Sequence, residues 1–108
     1  MIHLRPSAVM AKGYVYILCN RKNGALYIGF TKSLYERIRE HKNKADPKSH
    51  TAQYDIDRLV YFETYDLIRE ALRREKQIKD WNRSWKIALI EKDNPDWREI
   101  MLDWTDLS

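Results

Sequence analysis

A short β-hairpin near the start of the chain constrains the fold more than any other part of the sequence. Residues 14–19 are rich in aromatic and β-branched side chains, residues 20–24 carry turn chemistry, and residues 25–30 form a second strand-like run. Within the connecting segment, Asn23-Gly24 is a strong signal for a tight turn. The two runs are therefore predicted to pair as adjacent antiparallel strands.

The two-residue period of a strand sorts the hairpin side chains onto two faces. If Ile17 pairs with Ile28, Tyr16 lies opposite Gly29; a slip of two residues would place Tyr16 opposite Tyr27. Either register brings the two tyrosines close together on one face, with a gap beside them at Gly29. Half-exposed sheets also carry such tyrosines, and a bulge such a glycine, without any function. The opposite face is predicted to be the core face, formed by Val15, Ile17, Cys19, Leu26, Ile28 and Phe30.

The segment after the hairpin carries a helix start signal, because Ser33 and Glu36 match the S-x-x-E capping box. Arg37 and His41 lie one helical turn apart, so they can reach a common ligand. The stripe that they occupy is predicted to turn them toward the sheet, although a solvated helix face is the alternative. The apolar members of that stripe are Leu34 and Ile38.

The rest of the chain predicts one more strand and further helices. Residues 45–57 form a long polar connection, of a kind that is often functional or mobile. Residues 59–65 are a nearly unbroken apolar run, which predicts the central strand of the sheet. Helices are expected over roughly 67–81, 83–92 and 97–104, with Asp66 and Asp96 as caps of the first and last. The four tryptophans recur at helical positions, which favours the core over a base-stacking platform; they are Trp81, Trp85, Trp97 and Trp104.

Glu75 is difficult to explain as an ordinary surface residue. It lies on the predicted apolar stripe of the helix at 67–81, which contains Ile68, Ala71, Leu72 and Ile78. Buried carboxylates need a partner. A salt bridge to Arg37 or to a lysine of the same helix would satisfy Glu75, and so would a divalent cation.

Composition and charge narrow the function classes. The 108 residues are 44% hydrophobic and 33% charged, which excludes a collagen-like or disordered chain. No apolar run is long enough to span a membrane, and the single Cys19 excludes an internal disulfide and a multi-thiolate metal site. No secretion signal is recognised, so a cytoplasmic location is expected.

The positive charge lies in the body of the chain. Residues 1–92 contain 19 basic and 11 acidic residues, whereas residues 93–108 contain five acidic residues and one basic residue. This distribution indicates a polyanionic partner. We expect a loose N-terminal arm over 1–11, one folded domain over 12–104 and a short acidic tail over 105–108.

The strand Val15-Tyr16-Ile17 and the later Tyr27-Ile28-Gly29 resemble the two signature strands of the GIY-YIG nuclease family. The first signature keeps the tyrosine while its glycine and isoleucine are relaxed, and the second is intact. The family's helical arginine and the histidine or tyrosine one turn later are matched by Arg37 and His41. Its metal-binding glutamate is matched by Glu75, and its C-terminal asparagine by Asn94. The resemblance covers about residues 12–104 and is closest to small stand-alone bacterial members.

The resemblance implies an α/β fold: a small single domain with a three-stranded antiparallel sheet flanked by helices. It also implies a metal-dependent endonuclease that hydrolyses phosphodiester bonds in nucleic acid, with DNA as the expected form and DNA repair or recombination as the setting. Glu75 would hold one Mg²⁺ or Mn²⁺ ion, and either Tyr16 or Tyr27 would activate water. The implied catalytic residues are Tyr16, Tyr27, Arg37, His41 and Asn94; the expected substrate-binding residues are Gly29, Lys32, Arg39, Arg73, Arg74 and Lys79.

Two alternatives to a nuclease stay open at the level of sequence. The chain could be a nucleic-acid-binding module without catalysis, or a protein-interaction domain that uses its acidic, tryptophan-bearing tail. We expect no membrane association, and a monomer or a weak homodimer.

Overall fold

The computed structural model describes residues 13–103. The predicted arm over 1–11, the tail over 105–108 and Trp104 lie outside the described residues. The strands are β1 (Gly13–Cys19), β2 (Leu26–Thr31) and β3 (Arg58–Tyr65). The helices are α1 (Leu34–Lys42), α2 (His50–Gln53), α3 (Ile68–Asp80) and α4 (Arg83–Asp93). Among these helices, none is long and apolar enough to cross a bilayer.

The three strands form one antiparallel sheet in the order β2-β1-β3. Tyr16 pairs with Gly29 and Ile17 with Ile28, so the first of the two predicted registers is confirmed. Asn23 adopts a left-handed φ of 59° in the hairpin turn, a conformation that asparagine tolerates. The predicted α/β fold, with its three-stranded antiparallel sheet, is therefore confirmed.

The prediction that the third strand is central was wrong. Strand β1 is central, and all seven of its residues are buried. The apolar run of β3 does not show which of the two strands is central, because β1 is equally apolar. One edge of β3 is instead covered by the C-terminal segment, where the backbone N–H of Ile100 donates to the carbonyl of Leu59 at 2.8 Å.

Both faces of the sheet are buried, whereas the alternation predicted one core face. Ala71 and Ile78 of α3 pack with Val15 and Ile17 on one face, which is the predicted core face. The second face carries a core of its own, because α1 and the segment around Ile56 cover it. That second core contains Tyr14, Tyr16, Leu18, Leu34, Ile38, Ile56, Leu59 and Phe62.

The helix starts differ in detail from the predictions. Ser33 is the N-cap of α1, but its side chain makes no capping bond; its backbone N–H donates to Thr31 Oγ1 at 3.0 Å. The N-cap of α3 is Leu67 instead of Asp66. Only a narrow arc of α3 contacts the sheet, so two residues of its predicted apolar stripe, Ile68 and Leu72, are exposed.

The predicted helix over 97–104 is absent from its described part, 97–103. The chain turns at Asn94 and continues without helix to residue 103. Trp97 has a left-handed φ of 56° and is fully buried against the α3 side of the sheet. The side-chain amide of Asn94 donates to the carbonyl of Arg98 and accepts from the backbone N–H of Arg98. These two bonds fix the turn, which explains why no helix starts after Pro95.

Candidate active site

Tyr16, Tyr27 and His41 form an aromatic cluster beside the central strand. The ring centroids of Tyr16 and Tyr27 are 6.2 Å apart, and those of Tyr27 and His41 are 5.6 Å apart. The hydroxyl of Tyr16 lies 3.0 Å from Nε2 of His41, within hydrogen-bond distance. The structure therefore brings together three of the residues that sequence analysis placed in the site.

Gly29 makes room for the ring of Tyr16. A Cβ atom at Gly29 would lie 2.5 Å from the Tyr16 hydroxyl oxygen and even closer to Cζ, well inside van der Waals contact. The tyrosine ring therefore extends across the neighbouring strand β2 at the position where a side chain would stand. Gly29 has a steric role here, and its contact with substrate stays a prediction.

His41 contacts the short helix α2, which sequence analysis did not predict. Its Nδ1 lies 3.1 Å from Oγ1 of Thr51, a buried residue of α2. Ser49 caps that helix by accepting a hydrogen bond from the backbone of Ala52 at 3.2 Å. In the sequence, the only sign of this helix was Ser49, a residue type that is favoured at helix N-caps. The connection over 45–57 is thus partly structural and orients the imidazole.

The electrostatic setting keeps the Tyr16–His41 pair neutral. Burial raises the pKa of Tyr16 well above its usual range, and the neighbouring Tyr27 raises it further, while Arg37 lowers it in part. Burial also lowers the pKa of His41 below 6.5, and the positive charge of Arg37 acts in the same direction. At neutral pH a phenol therefore faces a neutral imidazole, which can accept one proton.

Arg37 lies at the open side of the cluster. Its side chain is 44% exposed and forms an ion pair with Glu40 at 3.0 Å, one helical turn away. It lines a cavity of about 330 Å³ together with Tyr27 and His41, and a second cavity of about 500 Å³ together with Lys32. Because an exposed ion pair contributes little stability, Arg37 can exchange Glu40 for a phosphate group.

Glu75 lies on α3. Its negative charge raises the pKa of Tyr16, as the smallest of the influences on that group. The Glu75 side chain is only 18% exposed, and its Oε2 lies 3.2 Å from Nζ of Lys79, so the expected salt bridge exists with a helix lysine and not with Arg37.

The donor set at Glu75 fits one weakly held divalent cation. Within residues 13–103, no group of three or more His, Cys, Asp or Glu side chains is placed to hold a metal ion. Mg²⁺ is often bound by one or two carboxylates together with substrate phosphates and water. Lys79 is half exposed, so its ion pair is weak and a cation can replace it.

The remaining basic residues differ in their availability to substrate. Arg74 is committed to the protein, because it donates two hydrogen bonds of 3.0 Å to Glu63 and lies over the ring of Trp81. This commitment argues against its predicted contact with nucleic acid. Arg39 lies over the ring of Tyr35 at 5.8 Å on the exposed side of α1. Lys32, Arg73 and Lys79 are exposed or half exposed, as a backbone contact requires.

The structure does not bring Asn94 to the cluster. Its Nδ2 donates to the carbonyl of Val60 at 3.1 Å and to that of Arg98 at 2.9 Å, and its Oδ1 accepts from the backbone of Arg98. These bonds place Asn94 beyond the outer edge of β3, whereas Tyr27 belongs to β2 at the opposite edge. Asn94 therefore secures the C-terminal turn, and its catalytic role stays a prediction.

Comparisons with known proteins give a family match and several similar relatives. Residues 12–88 match the family model described as the GIY-YIG catalytic domain. A UPF0213 protein of Staphylococcus saprophyticus is 39% identical over 83 residues, which cover 77% of this chain and 99% of the relative. A UPF0213 protein of Syntrophus aciditrophicus is 39% identical over 88 residues, which cover 81% and 98%.

A solved structure is similar in fold to this chain. The solution NMR structure of the UPF0213 protein BH0048 from Bacillus halodurans matches with a TM-score of 0.51 and 29% identity. The match covers 81% of this chain and 90% of that one.

Proposed function

The chain belongs to the GIY-YIG family, and from this premise we propose that it hydrolyses phosphodiester bonds in nucleic acid, with DNA as the expected substrate and a divalent cation as cofactor. The observation that carries the proposal is the hydrogen bond between Tyr16 and His41, in a cluster that Arg37 borders and on which the charge of Glu75 acts. A neutral proton acceptor and a guanidinium can assist attack on a phosphate, and a half-buried carboxylate can hold a cation beside it.

Tyr16 is the better candidate for activating water, because it has a proton acceptor in place. Its raised pKa makes a free phenolate inaccessible at neutral pH. We propose a relay instead: the hydroxyl of Tyr16 accepts a proton from the attacking water while its own proton passes to Nε2 of His41. Thr51 then faces the Nδ1–H of the resulting imidazolium. Tyr27 lines the adjacent cavity and orients the water or the phosphate.

Arg37 stabilises the charge that develops on the phosphate. Its planar fork donates to the non-bridging oxygens, an interaction that strengthens as the transition state is reached. A Mg²⁺ or Mn²⁺ ion held by Glu75 would supply positive charge at the leaving 3′ oxygen.

The test is a set of nicked, flapped, branched and single-stranded DNA substrates, incubated with Mg²⁺ or Mn²⁺ and the wild-type protein or Glu75→Gln. We expect metal-dependent cleavage of at least one substrate by the wild type and none by the variant. Glu70→Gln, which makes the same change at an exposed position of the same helix, is the control and retains cleavage. Tight binding without cleavage under all conditions would favour the module without catalysis.

A further inference from the structure

Trp85 is a large apolar side chain that the fold leaves in solvent. It lies in the first turn of α4 and is 58% exposed. Sequence analysis assigned all four tryptophans to the core, and for Trp85 that prediction was wrong. Single exposed apolar residues are common and carry no meaning by themselves. The support beneath this residue and the charge around it distinguish Trp85 from them.

A chain of contacts holds the Trp85 ring in place from the core outward. Glu63 is fixed by the hydroxyls of Tyr61 and Tyr65 and by three hydrogen bonds from Arg74.

Arg74 in turn lies 5.0 Å from the ring centroid of Trp81, which packs against the core. Trp81 then meets Trp85 edge to face, with centroids 5.9 Å apart and planes at 79°. The exposed ring is therefore preorganised, and little conformational entropy is lost when another flat group stacks on it.

The chain segment that contains Trp85 is basic. Residues 69–86 contain seven basic and three acidic side chains. The guanidinium of Arg83 donates hydrogen bonds to the carbonyls of Asn23 and Gly24 in the hairpin turn, so it is already engaged within the protein. Exposed Arg73 and Lys76 and the half-exposed Lys86 supply the charge that an anionic backbone requires.

The same helix connects this surface to the candidate active site. Glu75 and Trp81 are six residues apart on and just after α3, which corresponds to about 9 Å along the helix axis and about 120° around it. The path between the two side chains is therefore longer than the axial rise, and a strand whose stacked nucleotides are spaced by about 3.4 Å needs a few of them to span it. A strand that reaches Glu75 can thus place a nearby base on the tryptophan pair.

We propose that Trp85 is a stacking platform for an unpaired base of a nucleic-acid strand, a few nucleotides from the bond that is cut. The inference rests on the proposed function, and it specifies the substrate class as nucleic acid with a single-stranded segment next to the cleavage point. An aromatic ring with cations beside it binds single strands in this way, because every base offers a π-face while a duplex keeps its bases stacked.

The test is binding of a fluorescently labelled single-stranded oligonucleotide, and of the same sequence as a blunt duplex, measured by anisotropy in EDTA so that cleavage is suppressed. We expect Trp85→Ala to weaken single-strand binding by about tenfold or more, as loss of one base–aromatic stack does. Trp85→Phe keeps a stacking ring and retains most of the affinity. Duplex affinity stays unchanged in both variants.

Met101→Ala is the matched control, because Met101 is 81% exposed and lies in the segment beyond β3. Single-strand affinity in Trp85→Ala equal to that of the wild type would overturn the inference, as would an equal loss on duplex. A dimer that Trp85→Ala converts to monomer, without a change in affinity, would show that the ring contacts a second copy of the chain. Single-strand binding through Trp85 in a protein that cuts no substrate would refute the hydrolysis and leave the platform standing.

Discussion

Gly29→Ala tests whether the gap opposite Tyr16 is what positions the hydroxyl. The new Cβ would lie 2.5 Å from that oxygen, whereas nonbonded carbon contacts are comfortable at about 3.5 Å or more. The ring must therefore move by about 1 Å, and its hydrogen bond to His41 is broken or stretched. Gly29 has no positive φ, so the backbone accepts alanine and the whole effect comes from the ring.

Two quantities follow from that displacement. Overpacking of a core costs about 1–3 kcal/mol of the free energy of unfolding, which denaturant titration measures. A misplacement of about 1 Å in a catalytic group costs on the order of a hundredfold in rate, which single-turnover cleavage at saturating protein measures. We therefore expect Gly29→Ala to remain folded at 25 °C but to cleave about a hundredfold more slowly.

Gly13→Ala is the matched control. Its Cβ would lie 2.9 Å from the ring of Phe30 and 3.0 Å from the Cβ of Ala71, so it also crowds the sheet, but away from Tyr16. We expect a comparable loss of stability with nearly normal cleavage. If both variants lose cleavage in proportion to their loss of stability, or if Gly29→Ala cuts like the wild type, the reasoning is refuted.

Three further predictions concern charge. Arg37→Ala should lower the single-turnover rate by about two to three powers of ten with little change in affinity, whereas Arg73→Ala should weaken binding and reduce the salt slope by about one; the reverse pattern would contradict the site. Because the pKa of His41 lies below 6.5, the neutral imidazole persists above pH 6.5, and the cleavage rate should decline only as the pH falls below 6.5. A decline in rate centred above pH 7 would contradict the relay. Burial alone would raise the pKa of Glu63, but hydrogen bonds from Arg74, Tyr61 and Tyr65 hold it below 4.5. The ionised Glu63 therefore stabilises the fold above pH 4.5, and this contribution to the free energy of unfolding is lost as the pH falls through the folded-state pKa. Glu63→Gln should cost about 1.5–3 kcal/mol at pH 7 and flatten the acid decline in urea titrations, and an unchanged decline would refute the network.

Local patterns were sufficient to predict the hairpin, to limit its register to two alternatives and to predict the convergence of Tyr16, Tyr27 and His41. The strand period places both tyrosines on one face, and the helical period turns His41 toward them. These relations involve residues that are adjacent along a strand or within one helix, where spacing determines direction.

Long-range partners could not be predicted in the same way. The central position of β1 depends on which strand edge the C-terminal segment covers, and no local period reports that. Arg74 resembles its exposed neighbours in sequence, and only the structure shows that it is bonded to Glu63, eleven residues earlier. Trp85 has helical spacing like Trp81, yet the turn between α3 and α4 leaves its ring outside the core.

The most direct test of the proposed chemistry is the single-turnover cleavage rate of Tyr16→Phe compared with that of Tyr27→Phe. Phenylalanine keeps the ring over Gly29 and removes only the oxygen that lies 3.0 Å from His41. The relay predicts a loss of two or more powers of ten for Tyr16→Phe, with nucleic-acid binding and the free energy of unfolding nearly unchanged, and a smaller loss for Tyr27→Phe. A Tyr16→Phe protein that cuts at the wild-type rate would contradict the relay.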